Sequence, residues 1–125
     1  MSATTDRSAR LLVALLAGAG AAHFLVPKQF DAVVPDSLPG SPRTWTQASG
    51  VAELVLAAGI ATPRTRRVSA LAAAGFFAAV FPANVKMAYD WRTRPAQLRA
   101  LAYARLPLQV PLVVWAKRVG DAARR

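Results

Sequence analysis

Four runs of apolar residues, separated by short polar stretches, organise the chain. They cover about residues 11–26, 47–61, 68–85 and 98–116. Each is about 15–19 residues long, near the short end of what a helix needs to cross the roughly 30 Å hydrocarbon core of a bilayer. A helix on the surface of a soluble protein shows a polar stripe at a 3.6-residue period. Residues 11–22 and 68–83 show none. Helices that are apolar all round need burial on every side, and a chain of 125 residues cannot bury several of them within itself. The pattern predicts an all-α fold: an integral membrane four-helix bundle of up-down topology, one transmembrane domain over 1–125. The fourth run gives the weakest signal, because it carries Arg99, Arg105, Gln109 and two prolines, Pro107 and Pro111.

A cleaved signal peptide is the competing reading of the first run. Arg7 and Arg10 would form its basic region, and Ala19-Gly20-Ala21 offers small residues for cleavage. The run continues through Phe24-Leu25-Val26, beyond that site.

Charge sharpens the membrane reading. The formal net charge is +10, although 54% of residues are apolar and the mean hydropathy is +0.29. A soluble domain this basic usually binds nucleic acid or an acidic surface. Here the basic residues, Arg99 and Arg105 apart, lie between or beyond the apolar runs, where headgroups and water keep their charge inexpensive. With both termini inside, Arg7, Arg10, Arg64, Arg66, Arg67, Lys117, Arg118, Arg124 and Arg125 are inner. Lys28, Arg43, Lys86, Arg92, Arg94 and Arg99 are outer. The balance of nine to six favours N-in and C-in. Trp45, Tyr89 and Trp91 would mark the outer interface and Trp115 the inner one. No aromatic-basic platform points to nucleic acid.

The loops are brief. Residues 27–46 carry Pro35, Pro39, Gly40 and Pro42, a turn-rich connector. Residues 62–67 read as a tight basic hairpin, suited to orientation, anionic lipid or an acidic partner. Small residues offer packing seams: Ala14, Gly18 and Ala22 on the first helix, Gly50 and Ala57 on the second, Ala70, Ala74 and Ala78 on the third.

Candidate chemistry is confined to a few polar residues in or near the apolar runs. His23, Glu53, Asn84, Arg105 and Gln109 all fall in the outer half of the expected bundle. A charge at this depth is costly unless paired or wet, so Glu53 and Arg105 are expected to pair. Two readings stay open. The set is a structural clasp that fixes helix register, or it lines a small pocket. In the pocket reading Phe24, Phe77 and Phe81 form apolar walls, and His23 and Glu53 supply a proton donor and acceptor. Apolar walls with a few convergent polar groups suit a lipid-soluble ligand such as a quinone. The chain has no cysteine and one histidine, so no disulfide, thiolate site or histidine-built metal site is expected. No phosphate loop and no nucleophile with its base is visible.

At these residues the chain resembles the DoxX-like family of small bacterial membrane proteins. The matching elements are His23-Phe24-x-x-Pro27-x-x-Phe30, Val34-Pro35, Leu38-Pro39, Ser49-Gly50-x-x-Glu53-Leu54 with Gly59, Phe81-Pro82-Ala83-Asn84-Val85 with Met87, Arg94-Pro95, and Gln109 with Trp115. They span about residues 10–116. The resemblance implies a four-helix bundle in a bacterial plasma membrane and a loose association with redox chemistry. Some relatives are subunits of thiosulfate–quinone oxidoreductases or of membrane complexes handling oxidative stress. Thiol-based roles cannot operate here, for want of cysteine.

Three functions follow as expectations. The first is a non-catalytic accessory subunit of a membrane redox or envelope complex, with lipid and protein partners and room for homo-oligomers. The second is an oxidoreductase component binding quinone or lipid in the outer-half pocket. The third, a small transporter, is disfavoured because no polar residue continues a path through the inner half. Whether the chain has catalytic activity stays undecided at this point.

Overall fold

The computed structural model describes residues 3–32, 34–35 and 37–123. Among these the chain forms five helices: α1 (Ala3–Leu25), α2 (Pro27–Asp31), α3 (Pro42–Ala61), α4 (Arg66–Asp90) and α5 (Ala96–Ala122). Helices α1, α3, α4 and α5 correspond to the four apolar runs. Each extends past its run, because hydropathy marks only the apolar stretch while polar end turns remain helical. Residues 86–90, read as loop, continue α4 to Asp90. The short helix α2 was not foreseen. Pro27 starts it, at the first helical position, where a missing N–H is harmless.

Two helices, α1 and α4, are by themselves long and apolar enough to cross a membrane. This is fewer than the four expected. Helix α3 opens with the polar run Pro42-Arg43-Thr44-Trp45-Thr46-Gln47, and α5 carries Arg99, Arg105, Gln109, Lys117 and Arg118.

The four long helices run alternately up and down. At one end Trp115 Nε1 of α5 donates to Ser8 Oγ of α1 at 2.8 Å, and Arg66 of α4 lies 3.4 Å from Asp6 of α1. Arg66 also donates from Nε to the Ile60 carbonyl at 2.7 Å, capping the exposed end of α3. Arg67 reaches the Gly120 carbonyl. The basic hairpin is thus largely engaged within the fold, and Arg64 is its exposed member. The α1–α3 and α4–α5 pairs pack most closely, joined through α3 and α4.

The core is built from small side chains. On α3 the buried positions are Thr46, Gly50, Glu53, Ala57 and Ile60, one face at spacings of three and four. Leu12, Leu16 and Gly20 of α1 face them, with Ala70, Ala73 and Phe77 of α4 and Ala116 and Val119 of α5. Helix α1 is turned from the expected seam: Ala14 and Gly18 point outward, and Gly20 makes the crossing. Likewise Ala78 of α4 is exposed, and Phe77 takes the inner position. An all-apolar helix carries no polar face to fix its rotation, so volume decides it. A Cβ at Gly20 would stand 2.9 Å from Leu54 Cγ and 3.0 Å from the Gly50 carbonyl oxygen, so the crossing would have to shift.

The outer surface inverts the usual rule. Leu11, Leu25, Val51, Val55, Val68, Leu108 and Val110 are all exposed, Val55 by 64% and Leu25 by 79%.

Candidate functional site

The end of the bundle opposite Asp6 and Trp115 encloses a cavity of about 730 Å³ between α1, α3, α4 and α5, covered by α2 and the connector that follows it. Its walls are mostly apolar, including Phe30, Leu38, Phe76, Phe77 and Val80. The polar groups that converge on it are His23, Thr46, Ser49, Glu53, Asn84, Lys86, Arg105 and Gln109.

His23 and Glu53 form one polar centre. Both are 8% exposed. His23 Nε2 lies 3.5 Å from Glu53 Oε1, and His23 Nδ1 lies 2.6 Å from the Ala19 carbonyl oxygen. A carbonyl only accepts, so Nδ1 carries a proton and donates it. A neutral ring would then turn a bare Nε2 toward a carboxylate oxygen, two lone pairs facing each other. The contact is favourable only with a proton between them: imidazolium with carboxylate, or imidazole with carboxylic acid. Phe30 of α2 stacks on the imidazole, ring centroids 3.8 Å apart, and holds its plane.

Gln109 is the second centre and is 1% exposed. Its Oε1 accepts from Asn84 Nδ2 at 3.3 Å and from Arg105 Nη1. Its Nε2 donates to the Phe77 carbonyl at 2.6 Å. Pro82 removes the N–H that would bond Ala78, loosening this turn of α4. One glutamine thus links α4 to α5 and fixes Arg105.

The expected Glu53–Arg105 ion pair does not form. The two charges sense each other through space, but they are not within 4 Å, and Glu53 contacts His23 instead. Similar depth in the bundle does not place two side chains on facing sides. Asn84 lies within α4 and bonds Gln109.

Of the residues singled out from sequence, His23, Glu53, Phe77, Asn84, Arg105 and Gln109 share this chamber. Phe24 does not line it; it is 44% exposed and packs beside Gly50. Phe81 is exposed and lines a separate cavity of about 260 Å³ on the α4–α5 face.

Sequence reasoning missed the cover. Asp31 Oδ1 accepts from Thr46 Oγ1 at 2.6 Å, and Asp31 Oδ2 accepts from Arg43 Nε at 2.9 Å. These contacts clasp α2 onto α3. The Thr46 hydrogen bond, with Arg43 beside it, holds the Asp31 carboxyl below its ordinary value despite some desolvation. Trp45 Nε1 donates to the Pro39 carbonyl at 2.7 Å and ties down the connector. The signals in sequence were Pro27 as a helix start and Ser41-Pro42 as a cap followed by a first-turn proline.

Among the described residues no three His, Cys, Asp or Glu side chains group to hold a metal.

The chain matches over residues 12–120 the family described as a domain of unknown function (DUF8561). This corrects the DoxX-like resemblance. Its motifs were short runs of proline, glycine and aromatic residues, and no single one is specific. The redox association that came with it loses that ground. No curated protein and no solved structure matches the chain.

Proposed function

We propose that this chain, which belongs to the DUF8561 family, is a four-span membrane protein that holds a lipid-soluble ligand with a polar head in its chamber. In this reading both termini face the cytoplasm and the chamber lies in the outer half of the bilayer.

The observation that carries the ligand reading is the convergence of His23, Glu53, Arg105 and Gln109 on one mostly apolar cavity of about 730 Å³. That size is within the range of small-molecule sites, and so is the ratio of apolar wall to polar contact. A clasp alone would close on itself. Here Gln109 fills three of its four hydrogen-bonding positions, but the His23–Glu53 pair and the Arg105 guanidinium border open space.

The spanning reading rests on more than α1 and α4. Large apolar side chains of α3 and α5, among them Val51, Leu54, Val55, Leu101, Leu108 and Val114, are exposed, while about half of the buried apolar residues are alanines. Water would make such a surface an aggregation hazard; lipid makes it the favoured one. Helices in lipid associate through close approach and polar contacts, and the Gly20–Gly50 crossing and the Gln109 bonds supply both.

A scaffold within a membrane complex is the second reading. It is favoured by the outward notches at Gly18 and Gly75, each with nothing near its missing Cβ, where a partner helix has room to approach.

Native mass spectrometry of the protein taken gently from its own membrane separates these readings. A stoichiometric small molecule, quinone or other lipid, lost from His23→Ala and Glu53→Gln, supports the ligand reading. A reproducible protein partner with no small molecule, unchanged in both variants, makes the chain a scaffold.

A further inference from the structure

We propose that the chamber selects a single-chain amphiphile with a carboxylate head, the carboxylate resting on Arg105 and the chain along Phe76, Phe77 and Val80. This rests on the chamber being a ligand site and names the chemistry of its head group.

The charges around the chamber select the head group. Among the described residues four ionisable side chains line the chamber: His23, Glu53, Lys86 and Arg105. Lys86 Nζ lies 3.3 Å from Asp90 Oδ1, and that pair is neutral. Glu53 faces His23 Nε2 at 3.5 Å, and a proton between the two leaves that pair neutral as a whole. Arg105 is left over. A guanidinium has five N–H donors, and Arg105 uses one contact, to Gln109. No carboxylate stands within 4 Å of it among the described residues. Among the described residues Arg105 is therefore a positive charge with no carboxylate against it and several unused donors in a planar fork.

Such a fork matches a carboxylate through two parallel hydrogen bonds. A monoalkyl phosphate also fits the fork, but at about −1.5 to −2 near neutral pH it brings more charge than Arg105 balances. A neutral head leaves Arg105 uncompensated in an apolar wall. Gln109 keeps the guanidinium from turning away, because it is itself anchored on the Phe77 carbonyl.

The test uses the full chain in a non-ionic detergent at pH 8, titrated separately with palmitate, hexadecanol and monohexadecyl phosphate and read by native mass spectrometry. Palmitate is expected to bind roughly ten- to a hundred-fold more tightly than hexadecanol, the ratio a charge-assisted hydrogen-bond pair supplies. Arg105→Gln should remove that preference while leaving hexadecanol binding intact, which also shows that the chamber survives; Arg105→Lys should keep part of it. Equal binding of acid and alcohol overturns the carboxylate assignment and leaves the chamber standing. Tighter binding of the phosphate than of palmitate overturns it as well. If none of the three binds, the ligand reading of the chamber falls with it.

Discussion

Gly50 of α3 stands directly behind the side chain of His23 on α1. A Cβ built on Gly50 would lie 2.8 Å from His23 Cβ and 2.7 Å from the Phe24 ring. The chamber's imidazole is therefore seated by the absence of a side chain on the next helix. Gly50→Ala is expected to cost about 1–3 kcal/mol by overpacking and to push His23 from Glu53. Gly18→Ala, with nothing within 4 Å, should be neutral or slightly stabilising. Thermal unfolding of both variants in detergent checks this; equal midpoints would contradict the crossing.

Gln109→Leu keeps the size of the side chain and removes its hydrogen bonds. It leaves the Phe77 carbonyl, Asn84 and Arg105 without their partner. A loss of about 2–3 kcal/mol is expected, since a buried polar group left unsatisfied costs about 1–3 kcal/mol. Asn84→Ala removes one 3.3 Å contact from the same oxygen and should cost about 1 kcal/mol or less. Chemical unfolding in mixed micelles ranks the two, and the reverse order would show that Gln109 is not the hub.

The cover should loosen in acid. Asp31 is held below its ordinary value of 3.8 by Thr46 and Arg43. A depressed folded-state value means the carboxylate stabilises the fold above the unfolded value, and that this contribution is lost as pH falls through the folded value. Hydrogen exchange of residues 27–46 should stay slow from neutral pH down to the ordinary carboxylate range and rise below it. Asp31→Asn should show that loosened exchange already at neutral pH and differ little from the wild type once the carboxyl is protonated. Identical exchange in both proteins would remove Asp31 from the clasp.

The four long helices were legible from hydropathy, and so was the buried face of α3, because Gly50, Glu53 and Ala57 fall on one stripe with a polar residue to mark it. Six of the eight candidate residues meet at one chamber for a simple reason: ionisable and amide side chains are rare in these runs, and the fold collects them away from the outer surface. The rotation of α1 was not legible, since Gly18 and Gly20 are equivalent in an apolar helix. Nor was the Glu53–His23 contact, because depth along a bundle says nothing of azimuth. Helix α2 escaped because five residues carry too little periodicity, and with it went Phe30 and Asp31, which finish the site.

The central claim is that the apolar surface of all four long helices faces lipid. The chain has no cysteine, so single cysteines report position without background. Ser37→Cys and Thr93→Cys lie at one end of the bundle and Arg64→Cys at the other, all at exposed turn positions. A membrane-impermeant maleimide is applied to intact cells and again after permeabilisation. Labelling of positions 37 and 93 is expected in intact cells, and of position 64 only once the membrane is opened. Labelling of all three under the same condition, or labelling of 37 and 93 on opposite sides, would contradict four crossings.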